Sequence, residues 1–170
     1  ALAGVAPAAA AAPRAGARAP AAPPVTAVTA DQFRALLARG GRATLVNVWA
    51  TWCAPCRAEF PSLLGVARAH ARDGLRLVLL SADFPDQLPA VRRFLGAAGV
   101  RDTTYLKSGP DMAFIDAVSP QWSGALPATL VLDARGRRVA FWEGRADAAR
   151  FESGVRAALA ATPHEEDPHR

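Results

Sequence analysis

The chain has 170 residues and a formal net charge of +5, a length that suits one domain with its own core and is short for two. Its basic residues are scattered arginines, with Lys107 the lone lysine; without a basic block or a recognition motif, nucleic acid is excluded as a leading partner. No apolar run approaches the length of about 18 residues that a membrane-spanning helix needs.

Residues 1–24 are Ala, Pro, Gly and Arg with a few small aliphatics, and contain no acidic or aromatic side chain. Such a stretch has nothing with which to build a core, so residues 1–27 read as a disordered leader or tether. Ala1-Leu2-Ala3 fits the small-x-small end of a cleaved signal peptide, and fits equally a chain shortened at that point. The domain is expected over residues 28–161, followed by a polar, Pro-containing tail over 162–170.

Thr29, with Gln32 three residues on, predicts a helix N-terminus of the capping-box type, and Phe33, Leu36 and Leu37 give that helix an apolar face. Residues 44–50 read as a buried strand. A helix is expected from about Cys53 to Arg72, with Pro61 inside it and Gly74 as its stop. Residues 75–81 are nearly all apolar, which suits a central parallel strand. A helix over 86–98, a short strand over 103–106 and a short helix or turn over 111–118 follow. A strand over 128–132, a turn at 133–136 and a strand over 138–142 read as a hairpin, and a helix over 147–161 closes the chain. Alternating strands and helices imply an α/β fold. Its mixed central sheet is flanked by helices on both faces and carries an antiparallel edge from the late hairpin.

The two cysteines of the chain are Cys53 and Cys56, placed where a strand gives way to a helix. A Cys-x-x-Cys pair at such a junction is the pattern of thiol–disulfide chemistry. The unsatisfied backbone N–H groups and dipole at a helix N-terminus stabilise a thiolate on Cys53. Pro55 fits the first turn, where no backbone donor is needed. Cys53 is therefore the candidate nucleophile, and Cys56, one turn further in, the resolving thiol.

A zinc site would need two more ligands, and the histidines, His70, His164 and His169, show no ligand spacing. A purely structural disulfide closing so short a loop would constrain little. Glu59 lies three residues after Cys56 and can share its helix face. Spacing alone leaves it open whether it handles protons for Cys56 or merely complements the helix dipole. Pro127, directly before a strand, is the remaining residue of note, and a cis bond there is unusual on base rates.

These features together resemble the thioredoxin superfamily. More narrowly, Trp49-Ala50-Thr51-Trp52-Cys53-Ala54-Pro55-Cys56-Arg57-Ala58-Glu59-Phe60-Pro61 is similar to the W-A-x-W-C-x-P-C-x-x-E-x-P signature of the TlpA/ResA-like thiol–disulfide oxidoreductases of bacterial cell envelopes. The resemblance spans residues 29–161. It implies a thioredoxin-like fold with an N-terminal helix and a central insertion over 83–118. It also implies a cis Leu126–Pro127 bond, an active-site role for Glu59, and a partner-binding surface of Trp52, Ala54, Pro55, Leu126 and Pro127. Asn47 stands where thioredoxin itself has a buried acid, which shifts the acid–base role to Glu59.

The function implied is a periplasmic dithiol reductase of protein disulfides. It would be monomeric, tethered through an N-terminal segment and kept reduced by a membrane electron donor, with cytochrome c maturation among the roles. The Cys53–Cys56 disulfide would be the working group, with no metal or other cofactor. A copper-binding or metallochaperone module using the same cysteines is the alternative, although Met112 is the lone methionine and no histidine lies in the late loops. A thiol peroxidase is disfavoured by the close spacing of the pair.

Overall fold

A computed structural model describes residues 22–161; the tail expected over 162–170, and residues 1–21 of the expected leader, lie outside the described residues. The first element corrects the sequence reading. Val25–Val28 is a strand, β1, hydrogen-bonded in parallel to the strand Thr104–Lys107, β4. The leader expected through residue 27 therefore gives way at Val25. The strand is short, sits at an edge and buries only Val28 fully, so it carries no alternation that a pattern search could detect.

Helix α1, Ala30–Leu37, starts at the capping box read from the sequence. Thr29 Oγ1 accepts from the Gln32 N–H at 3.3 Å, and the Gln32 side-chain oxygen accepts from the Thr29 N–H at 2.8 Å. Strand β2, Ala43–Trp49, is buried at every position. Helix α2, Ala54–Ala69, runs through Pro61 and stops three residues before the expected end. His70 caps it, a 3-10 turn follows over Ala71–Asp73, and Gly74 takes a left-handed φ of 88° that returns the chain to β3, Leu75–Ser81. The region 83–118 holds a 3-10 turn, helix α3 (Leu88–Ala97), β4 and helix α4 (Asp111–Val118). The hairpin of β5, Ala128–Asp133, and β6, Arg138–Glu143, follows, and helix α5, Ala148–Ala160, capped by Asp147, closes the described chain.

The six strands form one sheet in the order β1-β4-β3-β2-β5-β6. The first four run in the same direction, and β5 and β6 form the antiparallel side. Alternation along β2 separates two apolar layers. Ala43, Leu45 and Trp49 pack with α2, α3 and α5, whereas Val46 and Val48 pack with α1 and α4. Trp49, Phe60 and Phe94 make an aromatic triad with centroids 4.8–5.0 Å apart, joining β2 to α2 and α3. Gly154 lets α5 lie close on the hairpin, since a Cβ there would come within 3.2 Å of Val131.

The C-terminal end of α2 is pinned to α5 by His70. Its Nδ1 lies 2.8 Å from an Asp73 carboxylate oxygen and its Nε2 lies 3.0 Å from Glu152, which also pairs with Arg156. Both ring nitrogens can donate to carboxylates only as imidazolium, and the bonds to Asp73 and Glu152 push the His70 pKa above its ordinary value of 6.5. A raised imidazole pKa stabilises the fold fully below 6.5, and that contribution is lost as pH rises through the folded value. His70→Gln should therefore cost about 1 kcal/mol or less near pH 6, given the partly exposed partners. The gap to the parent protein should close as pH climbs above about 6.5, which urea unfolding across pH would reveal.

Candidate active site

Strand direction gathers the site. Cys53 follows the C-terminal end of β2, and Ala128, directly after Pro127, pairs with Val48 near that same end. Open α/β sheets bind and react at this end of their parallel strands, where neighbouring connections diverge. Here β2 is the diverging strand, with parallel β3 on one side and antiparallel β5 on the other.

The loop Ala50–Cys53 turns tightly, with the Cys53 N–H donating to the Ala50 carbonyl at 3.2 Å. Cys53 is the N-cap of α2, and its Sγ lies 3.3 Å from the Cys56 N–H. An N-cap sulfur thus receives the backbone donor that an oxygen receives in ordinary caps. Cys53 and Cys56 are joined as a disulfide, with Cα atoms 5.3 Å apart. Cys53 is 5 % exposed and Cys56 fully buried, so the first sulfur is the more accessible to a partner. Ala54, Pro55 and Trp52 are exposed around it.

Glu59 is buried beneath this turn at 1 % exposure. Its Oε1 accepts from the Asn47 side-chain amide and its Oε2 from the Ala146 backbone N–H, both at 2.8 Å. The Asn47 amide also donates to Thr129 Oγ1 at 3.2 Å, while Asn47 Oδ1 is buried with no hydrogen-bond partner among the described residues. Burial pushes the Glu59 carboxyl above its ordinary pKa of 4.5; the Ala146 N–H, the Asn47 amide and the charge of Arg145 pull back less strongly. This glutamate faces the interior and not solvent.

The Leu126–Pro127 peptide is cis. The Pro127 carbonyl accepts from the Gly144 N–H at 2.8 Å, and the preceding loop is tied down by Trp122 Nε1 donating to the Ala125 carbonyl and Ser123 Oγ donating to Glu143, each at 2.8 Å. Leu126 is half-buried and shares a hollow of about 200 Å³ with Trp52, Phe84, Phe114, Ile115 and Trp122. Trp52 and Phe84 are 59 % and 63 % exposed, unusual for large apolar side chains beside a reactive group. A larger hollow, lined by Leu64, Arg68, Leu77, Val100 and Tyr105 among others, lies apart from the cysteine pair, with neither cysteine in its wall.

The residues singled out in the sequence therefore meet at one end of the sheet. Three others escaped that reading: Thr129 and the Ala146 N–H, which complete the surroundings of Asn47 and Glu59, and Asp83, whose carboxylate receives the Thr51 N–H and hydroxyl. Each acts through a contact distant in sequence, so no local signal marks it. Among the described residues no group of three or more His, Cys, Asp or Glu is placed to hold a metal ion, and no helix is long and apolar enough to cross a membrane.

Comparison with known proteins agrees with this geometry. The Redoxin family model matches residues 14–152. The thiol:disulfide interchange protein HelX of Rhodobacter capsulatus is 37% identical over 101 residues, 58% of this chain and 51% of HelX. The thiol-disulfide oxidoreductase ResA of Bacillus subtilis is 30% identical over 101 residues, again 58% of this chain and 51% of the relative. The chain thus spans about half the length of these curated relatives. A crystal structure of a thioredoxin-family thiol:disulfide interchange protein from Chlorobium tepidum superposes with a TM-score of 0.62 at 29% identity, covering 85% of this chain and 99% of that one. With its cysteine pair, buried glutamate and cis-proline at one end of a thioredoxin-like sheet, the chain belongs to the Redoxin family and is a TlpA/ResA-like member of it.

Proposed function

We propose that the chain is a thiol–disulfide oxidoreductase that reduces protein disulfides in the bacterial periplasm. The observation that carries this reading is the position of Cys53. It caps α2, lies near the surface and is disulfide-bonded to a buried Cys56 one turn inside.

In the reduced protein the Cys53 thiolate, stabilised by the helix N-terminus, attacks one sulfur of a partner disulfide. A mixed disulfide forms and the partner's other sulfur leaves as a thiolate, which takes up a proton. Cys56 then loses its proton and attacks the Cys53 sulfur. The Cys53–Cys56 bond forms, the bond to the partner breaks, and the partner's second sulfur leaves as a thiolate that takes up a proton, so the partner departs with two electrons and two thiols. Glu59 is the residue we assign to accept the Cys56 proton. It lies three residues on along α2, on the same helix face, and burial holds its pKa above the ordinary carboxyl range, nearer the working pH.

Trp52, Ala54, Pro55, Leu126 and Pro127 form the surface offered to the partner. An extended partner segment would lie along Leu126–Pro127, with apolar side chains against Trp52 and Phe84. The names of HelX and ResA support the exchange chemistry. The resemblance to envelope reductases points to a membrane electron donor that restores the dithiol, and to apocytochrome c cysteines awaiting haem as one substrate class. We take the protein to act as a monomer. Copper binding by the same cysteines would need a further ligand. His70, the histidine among the described residues, already has both nitrogens engaged with Asp73 and Glu152, which favours the redox reading.

Cys53→Ser should abolish insulin-disulfide reduction, whereas Cys56→Ala should accumulate mixed disulfides through Cys53; turnover retained by Cys53→Ser would refute the assignment. Redox titration against glutathione reads the direction of electron flow. A potential near about −270 mV fits a reductase, and one near about −120 mV would make the protein an oxidant instead. Glu59→Gln should slow resolution of the mixed disulfide by about a hundredfold, the lower range for loss of a general base. In the parent protein that step should accelerate as pH rises through the elevated Glu59 pKa, and the acceleration should be missing in the variant. Identical rapid-quench pH profiles would remove Glu59 from the mechanism.

A further inference from the structure

Asp83 lies two residues past the end of β3 and is fully buried. Its Oδ2 accepts from the Thr51 N–H at 3.0 Å and from Ser81 Oγ at 2.7 Å, and its Oδ1 accepts from Thr51 Oγ1 at 2.5 Å. The Asp83 N–H donates in turn to Ser81 Oγ at 3.1 Å. A buried carboxylate with this many donors is a fixed point in the fold, since charge-assisted bonds are strong and directional.

The two loops joined here leave adjacent strands side by side. Trp49 and Ser81 are register partners, and the Ala82 N–H donates to the Trp49 carbonyl at 2.8 Å. One residue beyond each clasped position stands an exposed aromatic: Trp52 after Thr51, and Phe84 after Asp83. Both line the hollow shared with Leu126, and Trp52 is followed at once by Cys53.

We propose that Asp83 is a positioning residue for the redox reaction: by clasping Thr51 it sets both the separation of the Trp52 and Phe84 walls and the seat of Cys53 on the helix N-terminus. This rests on the reductase reading for its partner but not for its effect on Cys53. The bonds act through Thr51, so the residue touches no reacting atom. It governs how closely the partner and the nucleophile are placed.

Two variants test it. Thr51→Val keeps the shape and the Asp83 charge but removes the hydroxyl donor; Asp83→Asn replaces one acceptor oxygen with an amide that faces donors. Both are reduced with dithiothreitol and assayed for insulin reduction and for the pH profile of Cys53 alkylation by iodoacetamide. Each variant should raise KM about fivefold with a smaller change in kcat, as loosened positioning does. Thr51→Val should also move the alkylation midpoint upward, because the sulfur is held less firmly against the Cys56 N–H. Folded variants that keep the parent KM and alkylation profile, with only a lowered Tm, would overturn the proposal. If Asp83→Asn does not fold, Thr51→Val decides alone. If the parent protein fails to reduce insulin, the reductase reading falls, and the alkylation profile still judges the clasp.

Discussion

A carboxyl group taken out of water is costly unless its oxygens find donors. Glu59 meets that demand from two directions at once. One oxygen takes the Asn47 amide from β2 and the other takes the Ala146 N–H from the segment leading into α5. The group thereby fastens α2, which carries both cysteines, to the sheet on one side and to the last helix on the other. Removing either donor would strand a buried polar group, so the arrangement is cooperative and resists drift. The same burial that makes the contact demanding raises the carboxyl pKa, so structural fastening and readiness for proton transfer have one physical origin.

Around that point the sheet divides its labour by face. The side chains of Leu45, Asn47 and Trp49 alternate onto the α2 side of β2, and Thr129, the register partner of Asn47, joins them from β5. Val46 and Val48 turn to the α1 and α4 side, joined there by buried Thr44, and pack into a second apolar cluster. Asn47, Glu59 and Thr129, with their hydrogen bonds, share the layer that holds the cysteine pair. Leu126 is the exception, in contact with both layers at the end of the sheet where the site opens.

Much of this was legible beforehand. The capping box at Thr29 and Gln32 and the continuous apolar run of β3 are local signals, and the observed elements start where those signals do. The cysteine pair could be placed at a helix N-terminus because a buried strand precedes it and Pro55 follows. What could not be read depends on partners distant in sequence. Val25–Val28 is a strand only because β4 offers a free edge. The burial of Glu59 depends on which way α2 faces, and helical spacing does not settle that. Asp83 looks like any loop aspartate until Thr51, 32 residues earlier, is brought against it. The end of α2 fell short of Arg72 because His70 is drawn toward α5 and Asp73 closes a separate 3-10 turn.

The edge strand has a consequence for orientation. Because β1 runs parallel to β4, β3 and β2, the chain enters the sheet at the pole from which these strands start, and Cys53 sits at the pole where β2 ends. Whatever is joined ahead of residue 22 is therefore attached at the back of the domain. Among the described residues the point of entry and the reactive rim lie at opposite poles, so the first strand leaves the approach to the sulfurs open.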